Sequence, residues 1–428
     1  MNKLALLTAL TKDFNTSYRD PLWSDIKIDQ SIKNIILTKR VQKLSRIKQN
    51  GPTSFIYPGS VHTRLNHSLG VYNIGRKILI SLINNSEDIP FTVIGVRSFI
   101  IACLLHDIGH FPYAHSLKEL SLREHEEIAA CIIYDDEELS NAIINASADP
   151  KYVASIIDEE SDCCYECEIY RNILSGTLDP DKLDYLNRDA FFAGVPYGIQ
   201  DNEYVISNLR IYKENIYLKK EAFAAIENIL FSKYLMYRNV YWHKGVRSAT
   251  AMIKKAVLSA IKDNVIQGSD LYFLDDYQFD ELTLLDYKPF RLIDDVKNNI
   301  LYKKAFEKEY DPNGELEKVS SNVYTRFEAE ERIYNKLKEY YPEIEKHSVI
   351  IDIQEPISFE SDIKLIDDEN NIFTFNQVSK LFSKDIAKQF TESLRSLSIF
   401  TPAYISSKVI KDIIENGNYW EIRLQRTY

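Results

Sequence analysis

From His62 to about Ala260 the apolar residues of this 428-residue chain recur at three- and four-residue intervals, as in HSLGVYNIGRKILISLI and VRSFIIACLLH. That repeat belongs to helices burying one face, and such helices satisfy their apolar stripes only against one another. With 45% hydrophobic residues the chain can build a large core and more than one domain. Residues 1–60 read as a helical lead-in (Ile32, Ile35, Ile36) that meets a Gly51-Pro52 break and a short strand-like stretch, FIYPG. ISNLRIYKENIYL, residues 206–218, alternates around Lys213-Glu214-Asn215 and predicts a hairpin. Beyond about residue 265 the composition shifts towards Asp, Tyr and Phe. There SVIIDIQ (348–354) and DIKLIDDENNIFTF (362–375) read as strands, the second folded on itself by its Asp-Asp-Glu-Asn-Asn turn. The expected architecture is mainly α: a lead-in over 1–60, a helical core over 61–265, and a smaller α+β region over 266–428.

Charge and cysteine content narrow the function classes. A net charge of −11 and a pI near 5.4 oppose binding to duplex nucleic acid, which requires a basic surface, but leave room for a small anion in a local basic pocket. Five cysteines form no disulfide framework. Cys163, Cys164 and Cys167 contain a single CxxC, open to a structural zinc or, as the residues favour, to reduced cytosolic thiols. LALLTAL after Lys3 is short for a signal sequence, and no stretch approaches the ~18 apolar residues of a membrane span. A cytoplasmic protein with no membrane partner is expected.

Six of the eight histidines fall between His62 and His125. In CLLHDIGHFPYAHS an apolar run ends in His106-Asp107, Gly109 clears space for close approach, Pro112 is expected to break the helix, and His110 and His115 follow. A buried imidazole beside a carboxylate is costly without a partner, and this pair offers nitrogen and oxygen ligands to one cation. The alternative is a hydrogen-bonded core pair. Three further signals favour a metal site. His67 opens a separate amphipathic helix just after Arg64. Ser121 and Glu124 have the spacing of a capping box, which would set His125 in a first helical turn beside Glu126 and Glu127, where the dipole and the carboxylates tune its proton affinity in opposite directions. Finally, DPDKLDYLNRDAFFAGVPYG has Asp179 as N-cap, Pro180 at the first helical position and Gly194 past the end, with Asp181, Tyr185, Arg188 and Asp189 on one face.

At these residues the chain resembles the HD-domain phosphohydrolases, and most closely the deoxynucleoside triphosphate triphosphohydrolases, which include the animal enzyme joining a sterile-alpha-motif domain to an HD domain. KLSRIKQNG, IYPGSVHTRLNHSLGV, CLLHDIGHFPYAHS, REHE, DPDKLDYLNRD and YWHK carry the resemblance, and PFRLIDDVKNNILYK extends it. It implies an HD-domain helical bundle in which His67, His106, Asp107 and Asp181 bind one divalent transition metal (Fe, Mn, Zn, Ni or Co), with additional Mg carried on the substrate triphosphate. It further implies that His110, His115 and His125 line the scissile phosphate, with His125 as general acid. Arg64, Lys182 and Lys233 would hold phosphates, Tyr185, Asp189 and Gln49 the sugar, and Tyr241 a ring-packing wall. The implied substrate is a deoxynucleoside triphosphate, and the implied assembly is a homodimer or homotetramer through the C-terminal region.

The chain departs from the family pattern at two places. Lys118 stands where an aspartate often follows the second downstream histidine, with Glu119 beside it. The aspartate and arginine that hold a guanine effector correspond to Leu37 and Ser45, with only Gln42 retained, so no effector site of that type is expected. Two other readings use the same residues: a phosphodiesterase or nucleotidase acting on other nucleotides, and an inactive nucleotide-binding regulator. His62 and His243 read as structural residues.

Overall fold

The structure, a computed structural model, describes residues 3–120, 122–213, 215–357, 363–382 and 394–416. It opens with helix α1 (Lys3–Thr11), a β1–β2 hairpin (Thr16–Asp20 and Ser24–Ile28), and helices α2 (Gln30–Ile36) and α3 (Lys39–Lys43). The bundle follows as α4 (Arg64–Asn85), α5 (Val93–Leu105), α6 (His125–Asp135), α7 (Glu137–Asn145), α8 (Pro150–Ile157), α9 (Tyr165–Leu174) and α10 (Pro180–Ala193). It closes with α11 (Asn202–Ser207), α12 (Phe223–Met236) and α13 (Lys244–Lys262). Strands β3 (Leu209–Tyr212) and β4 (Asn215–Lys219) form the predicted hairpin, whose Glu214 lies outside the described residues.

The C-terminal part mixes helices α14 (Asp276–Leu282), α15 (Arg291–Lys297), α16 (Glu315–Ser320) and α17 (Val323–Leu337) with strands β5 (Lys303–Glu309), β6 (Ile350–Ile353), β7 (Lys364–Ile366), β8 (Ile372–Thr374) and β9 (Ser396–Thr401). β7 and β8 pair antiparallel as expected, and β7 runs parallel to β4, tying this region to the bundle hairpin. Asp362, the first residue of that predicted segment, lies outside the described residues. β9 is the middle strand of the other sheet, antiparallel to β5 and β6. The expected mainly α architecture with a smaller α+β region is the one observed.

The helices start where local chemistry tells them to. Thr63 caps α4 in a capping box with Asn66, Thr92 caps α5, and Asp179 caps α10, which ends at Gly194 in the left-handed region at φ +70°. α5 is buried all round from Gly95 to Leu105, the pattern of a central helix. Each of its fully buried Ile and Leu side chains contributes roughly 1.5–3 kcal/mol. One core runs from Leu6 and Leu10 through α4 and α5 to Phe400, so the lead-in packs into the bundle. A second, around Ile333, Ile351, Ile399 and Ile410, lies within the C-terminal part.

Several expectations are corrected here. The lead-in is not purely helical: TSYRD and SDIKI pair as β1–β2. FIYPG is not strand-like; Gly51–Phe55 forms a short 3₁₀ turn, with Pro52 in its first turn. α5 ends at Leu105, seven residues before Pro112, with His106 as its C-cap. The N-cap of α6 is Glu124, so the Ser121 box does not start this helix, and Ser121 itself lies outside the described residues. Cys163 and Cys167 form a disulfide across the start of α9, where free thiols or a zinc were expected, while Cys103, Cys131 and Cys164 are free. No helix among the described residues is long and apolar enough to cross a membrane.

Candidate metal centre and cleft

The end of α5 fixes the site. Past His106 the chain turns, with Ile108 N–H donating to Leu105 O and His110 N–H to Asp107 O, so His106, Asp107 and His110 project together from one tight loop. Gly109 makes this possible: a Cβ there would lie 2.0 Å from the carbonyl oxygen of His125 and 2.7 Å from Ala129 N. The first turn of α6 therefore lies directly on the loop. As a result the His110 and His125 rings stack at 3.9 Å, while His115, from the exposed turn beyond, meets His110 at 4.7 Å.

His67 in the first turn of α4 and Asp181 in the first turn of α10 complete the convergence. His67 Nε2 lies 2.9 Å from Asp181 Oδ1 and 3.9 Å from Asp107 Oδ2, and His106 Nε2 lies 3.4 Å from Asp107 Oδ1 and 4.0 Å from Asp181 Oδ1. Both Nε2 atoms are buried without a hydrogen bond of acceptable geometry. Burial alone would lower the pKa of His67, but Asp181 and Asp184 raise it to about 10. Two imidazole nitrogens thus converge on carboxylate oxygens where positive charge is favoured, and a divalent cation would replace the proton there with a donor set suited to it. His67, His106 and Asp107 form a cluster able to hold an ion.

The anionic and neutral partners are set apart by their surroundings. Burial would raise Asp107, yet His106, Arg64 and His110 hold its carboxyl well below the usual carboxylate range. Arg64 donates to Asp107 Oδ2 at 2.6 Å. Burial, with Arg64 and His125 nearby, holds His110 well below the ordinary histidine value, so it is a neutral imidazole. Lys43 Nζ donates to the His110 carbonyl at 3.3 Å from beneath the loop.

A cleft of about 1130 Å³ opens in front of these groups, lined among others by Gln49, Arg64, Lys182, Tyr185, Asp189 and Tyr241. Tyr241 and Tyr237 come from a π-helical turn between α12 and α13, a local widening that is frequent at functional sites. Asp189 accepts from Tyr241 Oη at 2.5 Å on one oxygen and lies 2.8 Å from His62 Nε2 on the other. His62 is therefore more than a turn residue: it stacks on Phe192 and holds a cleft carboxylate. The Oε1 of Gln49 is buried with no hydrogen bond. Lys182 Nζ donates to Asp179 Oδ2 and to the Gly176 carbonyl, both at 2.8 Å, so it is folded back onto the helix cap, and burial pushes Asp179 up to about 7 even beside that ammonium.

One predicted substrate-binding residue, Lys233, and one residue of the expected α10 face, Arg188, are not brought into the cleft. Lys233 is buried on α12 and does not line the cavity. Arg188 points behind α10 to Asp184 and Asp20 instead of joining the face of Asp181, Tyr185 and Asp189. The side chain of Lys118 lies outside the described residues, and Glu119 turns to Arg326 and Lys254. His243 caps α13 through Nδ1. Sequence reasoning missed Tyr237, Lys43, Asp184 and Trp23; of these only Tyr237, one turn before Tyr241, carried a periodic signal.

Comparison with known proteins agrees with this geometry. The HD domain family matches residues 64–162, and the HD associated region matches residues 200–420. The chain is 31% identical over 300 residues to the uncharacterized protein YwfO of Bacillus subtilis, covering 69% of this chain and 67% of that one. It is 26% identical over 265 residues to the deoxynucleoside triphosphate triphosphohydrolase SAMHD1 homolog of Dictyostelium discoideum, covering 59% of this chain and 50% of that protein. A crystal structure of a phosphohydrolase from Bacteroides thetaiotaomicron shares the fold at a TM-score of 0.73 and 21% identity, over 90% of this chain and 99% of that one. Matched along most of its length, with the His-Asp cluster at the mouth of its central helix, the chain belongs to the HD-domain phosphohydrolases that carry an HD-associated region, a family that includes the SAMHD1 triphosphohydrolases.

Proposed function

We propose that this phosphohydrolase hydrolyses deoxynucleoside triphosphates to deoxynucleoside and intact inorganic triphosphate, water supplying the oxygen that joins the α-phosphorus as its bond to the 5′-oxygen breaks, with one divalent transition metal (Fe, Mn, Zn, Ni or Co) held by His67, His106, Asp107 and Asp181. What supports the reading is the meeting of these four side chains, 114 positions apart at the extremes, beside a cleft of about 1130 Å³ lined by basic, acidic and tyrosine side chains. The named SAMHD1 relatives act on deoxynucleoside triphosphates, which supports the substrate class. When bound, the ion supplies Lewis-acid polarisation of the phosphoryl group.

The chain's own residues supply the rest. Arg64 and Lys182 neutralise the triphosphate as negative charge moves onto it, Lys182 by turning from Asp179 into the cleft. Neutral His110 packs beneath His125, whose Nδ1 faces Glu126 at 3.0 Å, leaving the other ring nitrogen to pass a proton to the leaving 5′-oxygen. His115 borders the same phosphate from the exposed turn. The Tyr185 ring lies under C2′ and excludes a hydroxyl there, Asp189 accepts from the 3′-OH, Gln49 offers its unpaired oxygen to the sugar, and Tyr241 walls the ring. The C-terminal α+β region is the surface through which a homodimer or homotetramer would form.

Incubating the purified protein with each deoxynucleotide and ribonucleotide, across Mn, Fe, Co, Ni, Zn and Mg, tests this. Products identified by mass should be deoxynucleoside and triphosphate. Phosphate, pyrophosphate or nucleoside monophosphate would instead mark a phosphodiesterase or nucleotidase, and binding without turnover in every metal would mark a regulator. Alanine at His106 or Asp107 should abolish turnover and strip the metal.

A further inference from the structure

Behind His67 lies a charged assembly that the proposed reaction does not use. His67 Nδ1 sits 2.9 Å from Asp184 Oδ2. Asp184 is fully buried, one turn beyond Asp181 on α10, and its two oxygens take three more donors: Arg188 Nε at 2.7 Å, Arg188 Nη2 at 2.9 Å and Trp23 Nε1 at 2.5 Å. Arg188 continues to Asp20 Oδ2 at 2.8 Å, and the other oxygen of Asp20 accepts from the backbone N–H groups of Leu22 and Trp23. The turn of the β1–β2 hairpin is thus bonded, link by link, to His67. α4 makes room for this with Gly70, where a Cβ would fall 1.9 Å from Asp184 Oδ1 and 2.7 Å from Arg188 Nη2.

An ionised carboxylate only accepts hydrogen bonds, so a ring nitrogen facing it must carry the proton. With four donors on its two oxygens, Asp184 has neither spare acceptor capacity nor freedom to rotate. We propose that Asp184, clamped by Arg188 and by the Asp20–Trp23 turn, is a positioning residue that fixes His67 as the Nδ1–H tautomer and aims its Nε2 lone pair at the cation site. The inference rests on the metal reading above. It makes the N-terminal hairpin, which precedes the matched HD domain at residue 64, a working part of the metal centre. Partners that orient a ligating histidine in this way typically change metal affinity by about 10–100-fold when removed.

The test is metal binding by the full-length apo protein, with Co2+ followed by visible absorption and Mn2+ by calorimetry, alongside thermal melting. Asp184→Asn should weaken both affinities by about 10–100-fold and change the Co2+ absorption of the bound ion. Trp23→Phe, which removes one donor at a partly exposed position without changing charge, should weaken them by a few-fold while melting close to the parent; it decides the question if Asp184→Asn fails to fold. Unchanged Co2+ affinity and absorption in the variants would overturn the proposal, as would a lowered melting temperature with the Co2+ spectrum intact. A parent protein that binds neither ion would overturn the metal reading itself, and the positioning role with it, a result distinct from equal affinities.

Discussion

The rings of His110 and His125 stack at 3.9 Å with 20° between their planes, and the missing side chain of Gly109 lets them do so. Any Cβ at Gly109 meets backbone atoms of α6, which cannot turn aside as a side chain tip would. Gly109→Ala should therefore push α6 off the loop, destabilise the fold by about 1–3 kcal/mol and lower kcat well beyond its effect on KM. Urea melts and steady-state kinetics on the variant check this; unaltered kcat in a folded variant would mean that the stack has no part in catalysis.

His62, Asp189 and Tyr241 act as one unit, because each oxygen of Asp189 is engaged by a different partner. His62→Ala and Asp189→Ala should each raise the KM for a deoxynucleotide, and their double variant should be scarcely worse than Asp189→Ala alone. The coupling expected for such contacting residues is about 0.5–3 kcal/mol. kcat/KM for the four members of the cycle measures it, and additive losses would mean that His62 does not serve the carboxylate.

The parts of this site that were legible in the sequence are those written in local chemistry. Asp179, Pro180 and Gly194 mark the ends of α10, and Gly109 between two histidines announces a close approach. Arg188 shows where such reasoning stops. Counting helical turns gave its Cα the right direction, but a long guanidinium takes the partners that best satisfy it, and Asp20 lies 168 residues earlier in a hairpin whose alternation is too short to read. Trp23 is similarly remote from Asp184. Ser121 and Glu124 had the spacing of a capping box, yet spacing alone cannot say which of two polar residues ends up as the cap, and Glu124 does. The disulfide of Cys163 and Cys167 had no signal beyond proximity, which a pair of thiols shares.

Guanine nucleotide should not activate the enzyme. Where the family resemblance would put an aspartate and an arginine the chain has Leu37 and Ser45, neither of which carries a charge, and the side chains of Gln42 and Ser45 are turned to the backbone carbonyls of Ile36 and Gln42. Initial rates on a non-guanine deoxynucleotide should be flat as GTP is added. A steep rise would show that a different set of residues holds an effector.

Lys43 makes stability depend on pH in an unusual direction. Burial, with Arg40 nearby, lowers its pKa to about 8, against about 10.4 in the unfolded chain. Below pH 8 both states carry the proton, and the folded state bears the full penalty of a buried ammonium. Between about 8 and 10.4 the unfolded state binds more protons, so this group makes stability rise with pH across that window. The full span corresponds to about 3 kcal/mol, an order-of-magnitude figure for a group so deeply buried. Lys43→Met keeps most of the apolar stem, loses the donor to the His110 carbonyl, and should flatten this contribution. Urea unfolding of parent and variant at pH 7 and at a pH near 10 provides the comparison: the difference between them should shift in favour of the parent as pH rises. If that difference is the same at both pH values, Lys43 keeps an ordinary pKa in the folded protein and its burial carries no pH-dependent penalty.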